Sequence, residues 1–388
     1  MNIRFQNGSV LSGTAFEKKD ICIDQNIICD AAYDVIDATG YYILPGIIDL
    51  HGDGFDRHIQ PRANVYFDRQ SALRHIDAEM ATCGITTAWL ASSWSWEGGG
   101  RSPERTIEFC RAIDQFQSQA ITDLRVQIRL ETHTCDRFDQ LMDCVKAFGI
   151  DYVVFNNHLP EAQGMLQRKD GSFDAWAKEV GRSSAEHLVA VTNAIEMADA
   201  VPHFEEQVSC ELKKLGVSLG SHDDETRQSR AYYASLGATI AEFPTTILAA
   251  EQAKSTGHPV IMGAPNIVRG GSQSGNIAAI DLVRENLCDA LVSDYYYPAL
   301  YQAALKLWQG QEMTLGLAWK LISENPARIM NLSTKGKLDT GYDADLVFLN
   351  AETLQIDATL CGGRFGFVRG PMADRLADFR QGQQIVAA

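Results

Sequence analysis

The chain has 388 residues, of which 45% are hydrophobic and 22% are charged, a composition that excludes a disordered chain. Acidic residues outnumber basic ones by 50 to 34, and the net charge of −16 argues against nucleic-acid and anionic-membrane partners. No apolar run reaches the roughly 20 residues that span a bilayer, and the N-terminus lacks a signal-peptide core, so we expect a cytoplasmic location.

Strand patterns occur at both ends of the chain. The first 42 residues predict short strands, with Asn7-Gly8 as a hairpin signal, and strands recur from about residue 335. Because these ends flank an alternating middle, we expect them to build one small β-sandwich. The predicted domains are therefore a β-sandwich of residues 1–42 and 335–388 and a barrel of residues 43–334.

Strand and helix patterns alternate between these ends. The alternation predicts an α/β fold with a (β/α)₈ TIM barrel; a doubly wound open sheet is the alternative, but no GxGxxG or Walker loop favours it. Residues 161–215 exceed a plain crossover, and we expect two helices there that cap the barrel mouth or form a subunit contact. The predicted strands are 43–50, 86–91, 124–131, 152–156, 217–221, 239–243, 260–263 and 290–293. The predicted helices are 70–83, 103–116, 184–215, 224–236, 245–255 and 277–286.

The first predicted barrel strand ends in His51-Gly52-Asp53. Residues i and i+2 of a strand share a face, so His51 and Asp53 can point at one metal ion. Barrel enzymes assemble their active sites at this end of the strands. A hydrogen-bonded polar pair without metal is the alternative for the isolated motif.

The strand at 124–131 alternates apolar and polar residues. Val126, Ile128 and Leu130 should face the helices, because side chains alternate between the two faces of a strand. Arg129 and Glu131 should then point into the barrel, where the Glu131 carboxylate could bridge two metal ions.

Three further strands end in side chains that can bind a metal. His158 and His222 follow strands 152–156 and 217–221, and histidine is the commonest neutral metal ligand near pH 7. Asp294 ends the last strand and could both bind metal and accept the proton of an attacking water. A hydrogen-bonded loop histidine and a helix N-cap aspartate are the alternatives.

A loop rich in glycine and serine, at residues 262–276, surrounds Arg269. Its backbone N–H groups, the Ser272 and Ser274 hydroxyls and the Arg269 guanidinium could bind phosphate oxygens. Arg57 and Arg62, just after the His51 motif, would add positive charge at the same rim. A loop that binds no ligand is the alternative.

These motifs, in this order, resemble the amidohydrolase superfamily over nearly the whole chain. Within it they are most similar to the diphosphatase family of the carbon–phosphorus lyase pathway, although the chain departs from that family after His158 and in the loop at residues 94–100. The motifs that carry the resemblance are residues 51–53, 61–62, 83–87, 221–224, 241–246, 263–272, 293–295 and 325–328.

The resemblance implies a metal-dependent hydrolase that cleaves α-D-ribose 1-methylphosphonate 5-triphosphate to the 5-phosphate and diphosphate. It implies one or two divalent ions, zinc ahead of manganese or iron, an anionic small-molecule substrate, and Asp294 as the catalytic base. We also expect a homo-oligomer. The implied metal ligands are His51, Asp53, Glu131, His158, His222 and Asp294.

One implication conflicts with the predicted strand order. Superfamily ligands usually come from strands one, four, five, six and eight, whereas Glu131 falls on the third predicted strand. We therefore expect a missed strand before Glu131, and expect that strand 239–243 or 260–263 lies outside the barrel. Two other functions stay open: a hydrolase of C–N bonds, such as a deacetylase, cyclic amidase or deaminase, and a metal-binding homologue without catalysis.

Overall fold

The computed structural model describes residues 2–62, 65–272 and 275–386, and the side chains up to residue 379 in these ranges. Ser274, a predicted phosphate contact, lies outside the described residues. None of the described helices is long and apolar enough to cross a membrane.

The N-terminal strands precede the barrel. They are β1 (Asn2–Gln6), β2 (Ser9–Ser12), β3 (Ala15–Lys18), β4 (Ile21–Asp24), β5 (Ile27–Cys29), β6 (Asp34–Asp37) and β7 (Tyr41–Pro45). The predicted hairpin at Asn7-Gly8 is wrong, because β1 pairs with β4 and β6, while β2 pairs with β3 and β7 in another sheet. Asn7, with φ of 65°, instead turns the chain from one sheet to the other.

Eight parallel strands form the central sheet in chain order. They are β8 (Ile47–Gly52), β9 (Ile85–Trp94), β10 (Asp123–Glu131), β11 (Tyr152–Asn156), β12 (Ser218–His222), β13 (Ile240–Glu242), β14 (Val260–Gly263) and β15 (Ala290–Val292). The first and last strands meet where Gly52 bridges to Asp294. This near-closed barrel confirms the predicted (β/α)₈ fold.

The expectation of a missed strand is wrong. Glu131 ends the third barrel strand, and both β13 and β14 belong to the barrel. The superfamily's usual strand order does not hold for Glu131, which is the last residue of the nine-residue β10 and pairs with Asn156 of β11.

The predicted strand 43–50 is divided at Gly46. Residues before Gly46 form β7 in a terminal sheet, and those after it form β8 in the barrel. A Cβ at Gly46 would lie 2.2 Å from Oγ1 of Thr86, so only glycine fits this crossing.

Strands from both termini build two mixed sheets beside the barrel. The C-terminal strands are β16 (Leu346–Asn350), β17 (Ile356–Cys361) and β18 (Arg364–Val368). β7 pairs antiparallel with β16, which joins the two ends of the chain in a six-stranded sheet. This sheet and the four-stranded sheet share one core that includes Phe5, Ile43 and Phe348. The predicted domain boundaries stay a prediction.

The helices lie around the barrel, apart from the last one, which packs against the core of the terminal sheets. They are α1 (Asp56–Ile59), α2 (Arg69–Thr82), α3 (Pro103–Phe116), α4 (Phe138–Phe148), α5 (Leu159–Arg168), α6 (Ser172–Glu179), α7 (Ser184–Glu196), α8 (Val201–Lys214), α9 (Arg227–Leu236), α10 (Ile247–Ser255), α11 (Ala264–Arg269), α12 (Ala279–Arg284), α13 (Ala299–Gln309), α14 (Leu315–Lys320), α15 (Glu324–Ile329) and α16 (Gly370–Val386).

The segment after β11 contains α5 to α8, so the expected pair of helices is wrong in number. The predicted helix 184–215 is broken because Pro202, which has no N–H, fits only the first turn of a new helix, α8. Helices α5, α6 and α7 share their own apolar cluster, which includes Leu159, Phe173 and Trp176. We call α5, α6 and α7 the cap.

Candidate metal centre

A polar cavity of about 210 Å³ lies at the carboxyl ends of the barrel strands. Side chains from β8, β10 and β12 reach it from one side, and the segments after β13, β14 and β15 form the other. The residues that line it include His51, Arg129, His222, Phe243, Arg269, Ser272, Asp294 and Tyr295.

Three predicted ligands meet where the barrel closes. Each of His51, Asp53 and Asp294 offers one ligand atom, and these atoms lie within 4.8 Å of one another. The backbone fixes the arrangement, because Asp294 N donates to His51 O at 3.0 Å and Asp53 N donates to Asp294 O at 2.8 Å. Asp294 has φ of 56°, which is uncommon for a residue other than glycine and points to a functional constraint.

Glu242, at the end of β13, joins His51 to His222. Its Oε2 atom lies 3.0 Å from His51 Nδ1 and 2.8 Å from His222 Nδ1, and the three residues form another group that could hold a metal. The other carboxylate oxygen, Oε1, accepts hydrogen bonds from Gln127 at 2.9 Å and Tyr152 at 3.3 Å. Glu242 is therefore held in place on both sides.

The electrostatics of these groups follow from burial and proximity. Burial, together with the nearby Asp53 carboxylate, raises the pKa of Asp294 to about 6. Burial alone would lower the pKa of His51, but the Glu242 carboxylate outweighs it and raises that pKa. The Glu242 carboxyl keeps a pKa well below its usual range because His51 and His222 outweigh its burial.

Arg129 brings a positive charge to the same cavity. Its Nη2 atom lies 3.2 Å from His222 Nε2, and Nη1 lies 3.8 Å from an Asp53 carboxylate oxygen. The predicted inward direction of Arg129 is confirmed.

The remaining two predicted ligands meet elsewhere. Glu131 and His158 share a third metal-capable group with Glu97, again with ligand atoms within 4.8 Å. Burial alone would lower the pKa of His158, but the carboxylates of Glu131 and Glu97 raise it to about 9. Metal binding there would have to displace a proton.

The chemistry of both places fits a divalent metal. His51 Nδ1 is buried without a hydrogen bond although Glu242 Oε2 lies 3.0 Å away, because that contact lacks hydrogen-bond geometry. Buried polar atoms in proteins are rarely left unpaired, and imidazole nitrogen with carboxylate oxygen is a donor set that Zn²⁺ accepts. The His51 imidazole and the Glu242 carboxylate are therefore better placed to bind a cation than to hydrogen-bond to each other.

The predicted phosphate-binding residues differ in their placement. Arg269 and Ser272 line the cavity, and Arg269 donates to Tyr295 Oη at 3.3 Å. Arg57 instead forms an ion pair with Glu79 and donates to the Tyr295 backbone oxygen at 3.2 Å. Arg62 is exposed, and neither Arg57 nor Arg62 is among the described residues that line the cavity.

Comparisons with known proteins agree with this architecture. A model of the amidohydrolase family matches residues 296–363. The α-D-ribose 1-methylphosphonate 5-triphosphate diphosphatase of Escherichia coli (strain K12) is 34% identical over 329 residues, which cover 81% of this chain and 84% of the relative. The chain belongs to the amidohydrolase superfamily. The family predicted from the motifs is thus confirmed, and with it a hydrolase.

Solved structures share the fold of this amidohydrolase at low sequence identity. Dihydropyrimidinase from Brevibacillus agri NCHU1002 has a TM-score of 0.61 at 13% identity, with 95% of each chain covered. N-acetylglucosamine-6-phosphate deacetylase from Pasteurella multocida has a TM-score of 0.62 at 11% identity, covering 94% of this chain and 99% of that one. Matches at this identity establish the barrel and terminal sheets alone.

Two acidic residues of this amidohydrolase were not predicted as ligands. Glu242 ends a barrel strand, so the rule that found Asp294 could have found it. Glu97 follows β9 in the loop at residues 94–100, and no periodicity in the sequence indicates that the loop turns inward.

Proposed function

We propose that this amidohydrolase is a metal-dependent diphosphatase that cleaves α-D-ribose 1-methylphosphonate 5-triphosphate to the 5-phosphate and diphosphate in phosphonate catabolism. The observation that supports this most strongly is the 34% identity, over 81% of the chain, to a relative with that name. A cytoplasmic, homo-oligomeric enzyme stays a prediction.

The proposed metal ligands are the six that the resemblance implied, with Glu242 added from the structure: His51, Asp53, Glu131, His158, His222 and Asp294. Histidines combined with carboxylates favour Zn²⁺, with Mn²⁺ or Fe²⁺ as alternatives. A divalent cation in such a site supplies Lewis-acid activation of water and of a phosphoryl oxygen.

Asp294 is the proposed proton acceptor. Its carboxylate borders the cavity, and one carboxylate can both bind a metal ion and accept the proton of the attacking water. The left-handed backbone of Asp294 and its two hydrogen bonds to β8 and Asp53 would keep the carboxylate aimed at the attacking water.

The cavity also suits a polyanionic substrate. Arg129 and Arg269 both line it, in a protein whose net charge is −16. A guanidinium can donate two parallel hydrogen bonds to a phosphate, so Arg269 is positioned to bind the departing diphosphate. Ser272 also lines the cavity and offers a hydroxyl. Arg57 and Arg62 stay predicted phosphate contacts.

The test is product analysis with purified, Zn²⁺-loaded enzyme. We expect diphosphate from the triphosphate substrate, and a loss of at least about 100-fold in turnover for Asp294→Asn with its circular dichroism unchanged. An N-acetylated sugar phosphate and a cyclic amide test the C–N alternative. Hydrolysis of either amide without diphosphate release from the triphosphate would contradict the proposal.

A further inference from the structure

Two cysteines face each other on the hairpin of β4 and β5, in the four-stranded terminal sheet. Cys22 and Cys29 are direct partners in the antiparallel register of these strands. All nine cysteines of the chain are free thiols in the structure. We propose that Cys22 and Cys29 form a thiol–disulfide exchange site, which a low-molecular-weight disulfide converts to a reversible Cys22–Cys29 disulfide.

The first argument is the distance that the register sets. Directly opposed residues of antiparallel strands have Cα atoms about 4.5 to 5.5 Å apart. This range lies within the Cα separation of about 4.4 to 6.8 Å that a disulfide can join. The Cβ atoms of such a pair lie about 4.5 to 5.5 Å apart, so an approach of about 1 Å brings them to the separation found in a disulfide.

The second argument is that both thiols lie on one face of the hairpin. Ile21, Ile23 and Ile28 pack in the core of the terminal sheets. Because successive side chains of a strand point to opposite faces, Cys22 and Cys29 both lie on the face away from that core.

Both thiols also contact the same short backbone segment, which follows β5. Cys29 Sγ donates to Ala31 O at 3.2 Å, and Cys22 makes a hydrogen bond with the backbone of Ala32. Since Ala31 and Ala32 are neighbours in the chain, these contacts keep the two sulfur atoms on the same side of the hairpin.

The third argument is access to a small reagent. Both cysteines line a cavity of about 400 Å³, which Arg4 and Lys19 also line. Their positive charges favour the thiolate forms of nearby cysteines. Cys29 is half-buried, whereas Cys22 is only 7% exposed, and burial raises the pKa of the Cys22 thiol. Cys29 is therefore the thiol that a small disulfide should meet first.

The exchange has two steps. The Cys29 thiolate attacks one sulfur of the small disulfide, the S–S bond breaks, and one small thiol leaves with the bonding electrons and takes up the proton that Cys29 lost. The Cys22 thiolate then attacks the Cys29 sulfur and displaces the second small thiol in the same way. Two protein thiols are thereby oxidised to one disulfide, and the small disulfide is reduced to two thiols.

The new bond would fix a hairpin that holds a segment from the other end of the chain. Ile28 N donates to Tyr342 O at 2.8 Å, and Gly341 N donates to Ile28 O at 2.8 Å. Amide exchange at Ile28 and Gly341 should therefore be slower in the oxidised protein. The site does not depend on the proposed diphosphatase activity, because none of the described residues lines both this cavity and the barrel cavity.

The experiment detects the bond by proteolysis. Folded protein is incubated with oxidised glutathione, its remaining thiols are blocked with N-ethylmaleimide, and it is digested without reductant by a protease that cleaves before aspartate. Asp24 lies between the two cysteines, so cleavage there places Cys22 and Cys29 on separate peptides. We expect mass spectrometry to find these peptides joined, and to find them apart after dithiothreitol. Wild-type peptides that stay apart, blocked or carrying only glutathione, would overturn the proposal.

A variant tests the order of the two steps. Folded Cys22→Ser lacks the second thiol, so Cys29 should retain at least about 10-fold more glutathione than in the wild type. Cys210→Ser is the matched control, because Cys210 is an exposed cysteine on α8 and its loss should leave the joined peptides unchanged. Equal glutathione on Cys29 in the wild type and Cys22→Ser would contradict the exchange. The wild-type digest decides the proposal alone if Cys22→Ser folds poorly.

Discussion

Asp49 accepts two hydrogen bonds from Ser293, from the backbone N at 3.0 Å and from the hydroxyl at 2.6 Å. Both residues are fully buried, and they join the first barrel strand to the last. His51 and Asp294 lie directly beyond them on the same strand ends. The pair therefore fixes the distance between two proposed ligands where the barrel closes.

Ser293→Ala should weaken both the fold and the metal site. The change leaves one Asp49 oxygen without a partner, which costs about 1–3 kcal/mol of unfolding free energy. Metal affinity should fall about 10-fold or more, as for other residues that orient ligands. Urea unfolding and a Zn²⁺ titration measure the two effects. Ser209→Ala is the control, because the buried Ser209 hydroxyl has no hydrogen-bond partner; equal losses in both variants would refute the role of Ser293.

Arg230→Met should destabilise the barrel beside His222. Arg230 is fully buried, pairs with Asp224 at 3.2 Å and donates to Ser221 and to the Ala238 backbone. Removing one member of a buried ion pair costs about 3–5 kcal/mol because the other charge is left unpaired. The exposed Arg227–Glu251 pair is the comparison, and Arg227→Met should cost under about 1 kcal/mol in urea unfolding. Similar losses of unfolding free energy in the two variants would show that burial of the Arg230 ion pair does not cause the destabilisation.

Arg269→Gln should raise the KM for the triphosphate about 10-fold or more, since a charge-assisted hydrogen bond to phosphate contributes about 1.5–3 kcal/mol. Zn²⁺ content should not change. Arg284→Gln, which alters an exposed pair with Glu312 outside the cavity lining, should leave KM as it is. Steady-state kinetics measure the KM of both variants. An unchanged KM in Arg269→Gln would show that Arg269 does not bind the phosphates of the substrate.

The metal-free protein should lose stability as the pH rises through 9. His158 has a pKa raised from 6.5 to about 9, so its stabilising charge is fully present below pH 6.5 and disappears above 9. The loss amounts to at most about 3.4 kcal/mol. Thermal unfolding of chelator-treated protein from pH 6 to 10 should show a steeper fall in the wild type than in His158→Gln. Equal dependence of the unfolding temperature on pH in the two proteins would contradict the raised pKa of His158.

Strand ends were predictable from the sequence because a simple rule governs them. Alternation along β10 placed Val126, Ile128 and Leu130 among the helices and sent Arg129 inward, and the structure confirms both. Polar residues after apolar runs likewise marked His51, His222 and Asp294, which line one cavity.

Contacts between residues of different loops could not be predicted from the sequence. Glu97 reaches His158, 61 residues further on, only because the loop after β9 folds beneath α6, and no local pattern encodes that contact. The sequence also placed Glu131 and His158 in one set of ligands with His51, which stays a prediction. Strand position alone did not indicate that Glu97 lies beside them.

The central claim is that a cation held at His51 and Asp294 enables the release of diphosphate. The direct measurement is diphosphate release by chelator-stripped enzyme before and after Zn²⁺ is restored, in the wild type and in Asp294→Asn. We expect stripped wild type to be inactive and to recover with Zn²⁺, while folded Asp294→Asn stays inactive. Full activity in stripped protein, or equal recovery in Asp294→Asn, would contradict the account.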